Sequence, residues 1–460
     1  MNMFDAIFLA RLQFAFTISA HIIFPAISIG MASFLAVLEW RWLRTGDRAF
    51  KDMFVFWSKI FAIGFGLGVV SGVVMAFEIG ANWSGFASVA GDITGPLLTY
   101  EVLTAFFLEA GFLGVMLFGW KRVSPRAHFF ATLMVAAGTL VSTFWILSSN
   151  SFMQTPQGYA IEGGRIVPLD WIKVIFNPSF PYRLAHMTLA AFIVAGFLVA
   201  ACGAWHLLAG RRDEPVRRSF SMALWILLAL APIQILVGDA HGLNTRKYQP
   251  AKIAAIEGLW ETEKGGTALN LFGLPDMEAE VTRYALQVPH LGSVILTHSW
   301  DGEVRGLKEF APQDRPYSPL VFWSFRVMAG LGMLMLATAA TGLWLRRRDR
   351  LYEARWFQRL VLFMGPSGLV ALLAGWITTE VGRQPWTVYG VLRTVDSVSS
   401  VGAQQAGVSL LVLVVVYAIV FGTGIFYMLR LMARGPLPSE QAKTAAYPAL
   451  NARALSQTFK

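Results

Sequence analysis

The chain has 460 residues, 55% of them hydrophobic and only 14% charged, a balance that excludes an ordinary soluble domain and places the chain in lipid. Its formal net charge is +10, yet the Lys and Arg residues sit in short clusters between long apolar runs, which is a pattern of membrane topology and not of a nucleic-acid surface. The single cysteine, Cys202, lies among small residues in an apolar run, which excludes a disulfide framework or a thiolate metal site within the chain.

The N-terminus, MNMFDAIFLARLQFAF, has neither the basic region nor the small-residue cleavage site of a secretory signal, so no segment is expected to be removed. A spanning helix needs about 20 mostly apolar residues to cross about 30 Å of hydrocarbon. Nine runs meet that length, near 12–39, 54–80, 97–120, 127–149, 184–209, 219–240, 319–345, 357–380 and 405–431. The expected fold is an all-α integral membrane protein, a single membrane domain over 1–460 with no linker to a second one. Tightly spaced glycines in the second run, IGFGLGVVSG from Ile63 to Gly72, suit close helix packing or the approach of backbone to a flat cofactor.

Short loops that stay in the cytoplasm are enriched in Lys and Arg. Arg41, Arg44, Arg48 and Lys51 follow the first run, Lys121, Arg122 and Arg126 the third, Arg211, Arg212, Arg217 and Arg218 the fifth, and Arg346, Arg347, Arg348 and Arg350 the seventh. Those loops are predicted to face the cytoplasm. The N-terminus, the loop after the second run, the segments 150–183 and 241–318 and the loop after Glu380 then face outward, and the tail 432–460 and the C-terminus lie in the cytoplasm. The polar segment 241–318 is expected to form part of a site, since long structureless connections are usually functional or disordered.

Ionisable groups inside spanning helices are costly and are functional candidates by default. Here they are His21 in the first run, Glu78 in the second, Glu101 and Glu109 in the third, His186 in the fifth, Arg326 beside Met328 in the seventh and Glu380 in the eighth. The topology puts His21, Glu101, His186, Met328 and Glu380 in the outer half of the membrane, which allows them to share one layer. A His/Met pair is a familiar axial set for a low-spin heme, and His186 with Met328 fits it. The residues alone also fit an interfacial histidine and one of 17 methionines filling core gaps. Glu101 and Glu109, eight residues apart, lie on similar sides of one helix and about 12 Å apart along its axis. They read as a proton path, or as two carboxyls each hydrogen-bonded to a neighbouring helix. Glu78, close to the outer interface, is expected to be such a hydrogen-bonded contact. His128 and His206 are expected to face headgroups at cytoplasmic helix ends, and His241, His290 and His298 belong to the outer segment. With no adjacent His-His pair, a heme–copper oxidase is disfavoured, because its copper centre needs clustered imidazoles.

Gly382-Arg383-Gln384-Pro385-Trp386 resembles the GRQPW signature of subunit I of the cytochrome bd quinol oxidases. Further matches follow in order along nearly the whole chain: ARLQFAFTISAHIIFPAISIG around His21, TYEVLTAFFLEAGFLG around Glu101 and Glu109, FPYRLAHM around His186, KIAAIEGLWET from Lys252 to Thr262, and FWSFRVMAG around Met328. The resemblance implies the heme-bearing subunit of a terminal oxidase that takes electrons from quinol at the outer face. It implies reduction of O2 to water with cytoplasmic protons, building a proton motive force without pumping. Heme b558 would be held by His186 and Met328 and steadied by Arg326, while His21 and Glu380 would serve heme b595 and heme d in an order left open. Glu101 would lie beside that pair as ligand or proton donor, Glu109 would relay protons, Trp376 would lie on the electron path between hemes, and Arg11, Asn150 and Arg383 would meet heme propionates. Lys252 and Glu257 match the family's quinol-binding pair, which makes 241–318 the outer-face quinol-binding loop. The segment after Glu257 is of the short-loop type and HIIFPA is similar to the cyanide-insensitive branch, so the third heme is either heme d or a further heme b.

The partners implied are a heme-free subunit II of homologous fold, forming a heterodimer, a small single-helix accessory subunit, quinol, O2 and membrane lipid, with no nucleic acid. The place implied is the bacterial cytoplasmic (inner) membrane. Two other functions compete. A heme b membrane anchor of a quinone-linked dehydrogenase would leave His21, Glu101 and Glu380 without purpose. A proton-coupled transporter would be expected to show inverted repeats, and no internal repeat is seen.

Overall fold

The computed structural model describes residues 5–436. Among the described residues nine helical spans are long and apolar enough to cross a membrane. The first two are α1 (Ala6–Thr45) and α2 (Arg48–Asn82). The third is interrupted: α3 (Ser84–Glu101) passes through a π-helical turn (Val102–Phe106) into α4 (Phe107–Phe118). Then come α5 (Pro125–Gln154), the short α6 (Trp171–Ile175), α7 (Phe180–Leu208), α8 (Glu214–Tyr248) and the short α9 (Pro250–Glu257). After α10 (Leu291–Thr297) and α11 (Ser318–Arg347), α12 (Arg355–Phe363) and α13 (Ser367–Val381) share one span, and α14 (Ala403–Arg434) is the last. Three antiparallel hairpins decorate the connections: β1 (Tyr159–Glu162) with β2 (Arg165–Pro168), β3 (Leu269–Asp276) with β4 (Val281–Val288), and β5 (Trp386–Val388) with β6 (Leu392–Arg393).

The nine expected spans are all present, and most helices overrun them. Hydropathy marks only the apolar middle of a helix, whereas its ends are set by capping. Asp5, Asp47, Ser124 and Asp213 accept backbone N–H groups of the first turns of α1, α2, α5 and α8. The largest difference is at α3, which begins at Ser84 because Phe86, Ala90 and Ile93 on its small, polar first half are buried in a cluster with Phe152 of α5 and Ile166 of β2.

The segment 241–318 is not the structureless connection expected from its polarity. Its first residues continue α8 to Tyr248, so His241 belongs to a spanning helix, and α9, the β3–β4 hairpin and α10 fill the rest. Every residue of α9 from Ala251 to Glu257 is buried. The tail expected over 432–460 falls beyond the described residues from 437 onward.

Small residues let the helices close. A Cβ on Gly30 of α1 would meet the Ala191 carbonyl oxygen of α7 at 2.5 Å and the Ala195 Cβ at 2.6 Å. On α2, Gly64, Gly68 and Gly72 line the seam with α1, facing Ser28, Pro25 and His21 in turn, while Gly66 faces away from it. The basic loops gather at one end of the bundle: Arg218 pairs with Asp47, Arg211 Nη1 donates to the Arg434 carbonyl at 2.9 Å, and Arg346 Nη1 donates to Ser221 Oγ at 2.9 Å. Overpacking of such a contact costs about 1–3 kcal/mol. Gly30→Val is therefore expected to lower the thermal midpoint of the purified protein by several degrees, whereas Gly66→Ala, with nothing within 4 Å of its Cβ, leaves it in place; thermal unfolding in detergent measures both.

Candidate functional site

Apart from Arg11, the expected site residues can be taken in three sets by the helices that carry them, and the first is centred on Glu380, near the end of α13. Asn150 Nδ2 and Gln154 Nε2, one turn apart on α5, donate to Glu380 Oε1 at 3.0 and 3.1 Å, and Arg383 pairs with the other carboxylate oxygen. Lys252 Nζ, from α9, donates to Gln154 Oε1 at 2.7 Å, and Gln249 Nε2 donates to the Gln154 carbonyl at 2.9 Å. Arg183, from the first turn of α7, reaches Asn150 Oδ1 at 3.4 Å. Arg183, Lys252 and Arg383 are all buried. Burial, and then the nearby Arg183, hold the Lys252 ammonium well below its ordinary value. Two guanidinium groups and a lysine whose charge is disfavoured thus surround one carboxylate. Nε and Nη1 of Arg383 are buried without a hydrogen-bond partner. Such a cluster is short of negative charge, and it fits an anionic group, as heme propionates would be.

In the second group, Arg326 of α11 donates to Glu257 Oε2 at 3.0 Å, to the Ile256 carbonyl at 2.5 Å and through Nε to the Asn270 carbonyl at 2.9 Å, with its guanidinium 3.5 Å from the centre of the Phe322 ring. Burial raises the Glu257 carboxyl above the usual glutamate value, and the ion pair with Arg326 opposes that rise. Two residues on, Met328 rests on Gly375 of α13, where a Cβ would lie 2.7 Å from its sulfur. Gly375 precedes Trp376, whose Nε1 is buried and unpartnered. On α7, the His186 ring lies against Gly238 and 5.8 Å from the His241 ring of α8, and His186 Nδ1 is buried without a partner.

The third group is on α1 to α5. His21 Nδ1 lies 3.0 Å from Ser71 Oγ, which is itself 3.0 and 2.8 Å from the Leu67 and Gly68 carbonyls. Since the serine proton goes to those carbonyls, Ser71 accepts from Nδ1–H, leaving the Nε2 lone pair of His21 available for a metal. Glu101 accepts from Ser142 Oγ of α5 at 2.7 Å, and Glu109 packs against Gly138, four residues earlier on α5. The helix between them is not regular, as the spacing alone assumed. Eight residues of α-helix would leave the two carboxyls about 80° apart. A π-turn that absorbs one extra residue removes about 100° of rotation, which brings both to the α5 side. The partners of Glu101 and Glu380 on α5, Ser142 and Asn150, stand about 12 Å apart along its axis, so these two carboxyls are stepped in depth rather than level.

Other expectations fare differently. Arg11 is exposed on α1 and joins none of these groups. Lys252 and Glu257 do not form a facing pair: the first turns to Gln154 and the second to Arg326. His128 does not face headgroups. It is buried, with Nδ1 2.6 Å from Glu39 Oε1, Thr132 Oγ1 donating to Glu39 Oε2 at 2.6 Å and the Trp120 ring 4.0 Å away. His206 is also buried, 2.8 Å from the Met432 carbonyl. Both lie where helix ends of different spans meet, so protein replaces the headgroup as their polar partner. Sequence reasoning missed Arg183, Gln154, Ser71 and Glu39. Arg183 had a signal, an arginine three residues before His186 at the edge of an apolar run; the other three acquire meaning only from tertiary partners. Among the described residues no three His, Cys, Asp or Glu side chains cluster as a metal site.

The sequence profile of the cytochrome bd terminal oxidase subunit I family matches residues 9–436. The chain belongs to that family. Similar relatives include cytochrome bd ubiquinol oxidase subunit 1 of Bacillus subtilis, 35% identical over 437 residues with 93% of each chain covered. Another is cytochrome bd-II ubiquinol oxidase subunit 1 of Escherichia coli, 31% identical over 509 residues, covering 95% of this chain and 99% of the relative. Among solved structures, the bd oxidase from Geobacillus thermodenitrificans superimposes with a TM-score of 0.88 at 30% identity, covering 95% of this chain and all of that one. Family and fold make the chain a multi-pass protein of the bacterial inner membrane and a subunit of a terminal quinol oxidase, a quinol:oxygen oxidoreductase that works with a second subunit and with hemes. Membership decides against the dehydrogenase anchor and the transporter.

The Glu39–His128 pair gives a direct test of buried-pair energetics. Removing one partner of such a pair costs about 3–5 kcal/mol, whereas replacing both by apolar residues is often neutral. Glu39→Leu is expected to destabilise the protein by that amount, and adding His128→Leu recovers most of the loss; chemical or thermal unfolding of the two variants is the measurement.

Proposed function

We propose that this subunit oxidises quinol at the outer end of the bundle, beside α9, and reduces O2 to water with protons drawn from the basic, cytoplasmic end. The observation that supports it most is the buried Arg183–Lys252–Arg383 cluster around Glu380, a charge imbalance that anionic heme substituents would relieve next to the segment that carries Glu257. The clustering of basic loops at the opposite end supports an outward-facing N-terminus and a cytoplasmic C-terminus.

In this assignment His186 and Met328 hold heme b558, Arg326 steadies it, and His21 and Glu380 serve the other two hemes, heme b595 and either heme d or a further heme b. When bound, the hemes supply electron transfer and the oxygen-reducing chemistry. Ser71 fixes the tautomer of His21. Asn150, Gln154 and Arg383 fix the carboxylate of Glu380, and Asn150, Arg183 and Arg383 receive propionates. Arg11, exposed here, has no geometric support for that role. Trp376, beside the glycine on which Met328 rests, is assigned to the electron path.

At the quinol side, Glu257 accepts the hydroxyl proton, for which a carboxyl raised by burial is a better base than an exposed one. Lys252, tied to Gln154, links the same short helix to Glu380. At the other side, Glu109 and Glu101, both turned to α5, pass protons outward from the cytoplasm toward the His21 region. Protons released outside and consumed from inside separate charge without a pump. The partner in this scheme is a heme-free subunit II of homologous fold, with a single-helix accessory subunit.

The experiment that tests it is a reduced-minus-oxidised absorption spectrum of the purified complex with analysis of the extracted hemes, alongside quinol-dependent oxygen uptake. Three hemes and oxygen uptake are expected, and a colourless complex overturns the assignment. Because Glu257 must be deprotonated to accept a proton and its value is raised, turnover should climb as pH rises through that value. Glu257→Gln is expected to lower quinol turnover about 100-fold or more while keeping the heme spectrum, and to flatten the pH profile; a variant with wild-type turnover removes Glu257 from this role.

A further inference from the structure

The seam between α1, α2 and α14 holds buried polar side chains that the reaction above does not use. Gln13 and Thr17 stand one turn apart on α1, Glu78 lies near the end of α2 and Tyr417 lies in α14; these residues are 6%, 0%, 4% and 3% exposed. Thr17 is a polar neighbour of both the Glu78 carboxyl and the Tyr417 hydroxyl. Both carboxyl oxygens of Glu78, the hydroxyls of Thr17 and Tyr417 and the side-chain oxygen of Gln13 nevertheless lack a well-formed hydrogen bond, although Gln13 Nε2 donates to Ser409 Oγ at 3.2 Å. The helix contact expected for Glu78 is thus made to Thr17 of α1, but without geometry good enough to satisfy either carboxyl oxygen. Buried polar atoms without partners are rare. Several converging on one spot are what an ordered water needs, since it takes about three polar partners.

The spot is closed on its inner side by aromatic rings. Phe16 and Phe421 pack on the Tyr417 ring at 5.4 and 4.4 Å, and Phe421 stacks on Phe24 at 5.0 Å. On its outer side Gln13 and Ser409 lead toward the helix ends. The other titratable or charged groups on the outer halves of the packed helices are Arg11 and His21 on α1, with Asp5 as its cap, Asp92, Tyr100 and Glu101 on α3, Tyr182, Arg183 and His186 on α7 and Glu380 on α13; α2 and α14 add none there. Thr17 precedes His21 by one turn on the same face of α1, and Glu78 follows Ser71, the partner of His21, by seven residues, which is about 10 Å along α2. The carboxyl thus shares a seam with His21 and lies two turns toward the outer end.

We propose that Gln13, Thr17, Glu78 and Tyr417 enclose a proton-binding water site whose carboxyl takes up a proton when the centre at His21 is reduced and returns it on oxidation. Only an O–H bond forms and breaks, between a Glu78 oxygen and site water, and the electron is supplied by quinol through the enzyme's own activity. The site keeps local charge balanced and exchanges with the outer side, apart from the Glu109–Glu101 route. It rests on the assignment of His21 to a heme.

The test is infrared difference spectroscopy of the intact complex, reduced minus oxidised, in H2O and in D2O. Wild type should show a carboxylic C=O band that shifts in D2O, that is lost in Glu78→Gln and that is displaced in Tyr417→Phe, with the heme absorption spectrum unchanged in both variants. An identical carboxylic region in wild type and E78Q overturns the proposal, and so does an unmoved band in Y417F, which decides alone if E78Q does not assemble. Failure of the His21 assignment looks different: His21→Ala would keep every heme, and that result removes both.

Discussion

Glu380 is the residue on which the outer half of the bundle converges, because a carboxylate removed from water is tolerable only against positive charge and hydrogen-bond donors. Its partners come from separate elements: Asn150 and Gln154 from α5, Arg383 from the turn after α13, and through them Arg183 from α7 and Lys252 from α9. Each of those cations would be prohibitively costly alone in the same place. The network therefore works as a mutual condition. No single helix can be withdrawn without leaving a buried charge uncompensated, and this is why the short α9, with its polar Lys252 and Glu257, is buried from Ala251 to Glu257.

Close packing sets the second condition. α1 is approached by α7 at Gly30 and by α2 at Gly64, Gly68 and Gly72, and the last of these brings α2 backbone against the His21 ring. The same glycine stripe that closes the seam also places Ser71 where it can fix the imidazole. On the other side the π-turn at Val102–Phe106 spends one residue of regular helix to turn Glu101 and Glu109 toward α5 together. Irregularities of this kind are common at functional sites, since a helix otherwise gains nothing from a wider turn.

Much of this was legible in the sequence. Apolar length located all nine spans, since every one needs enough hydrocarbon-facing side chains whatever its partners. The cost of ionisable residues inside the membrane singled out His21, His186 and Glu380 as candidates, because it marks each of them individually. What escaped was relational. Ser71 and Gln154 are ordinary polar residues until His21 and Glu380 are placed beside them. His128 sits at a helix start, where headgroup contact is the default, and only the approach of Glu39 and Trp120 makes it a core residue. Glu78 shows the same limit in the other direction. Its place near a helix end suggested a hydrogen-bonded contact; Thr17 of α1 is indeed its polar neighbour, yet neither oxygen gains a well-formed bond.

The short helix α9 joins two of these networks. Lys252 binds through Gln154 to Glu380 and α13, while Glu257, five residues on, binds through Arg326 to α11, the helix of Met328. Gly382 must lack a side chain for the Lys252 stem to pass, since a Cβ there would lie 2.7 Å from its Cγ. On the assignment proposed above, one rigid turn of backbone thus connects the place where a proton leaves quinol to ligands of two different hemes. Any shift of α9 would move charge beside Gln154 and Glu380 on one side and beside Arg326 on the other. On that assignment the quinol site and the electrostatics of the hemes would be coupled through the ion pairs of one short helix.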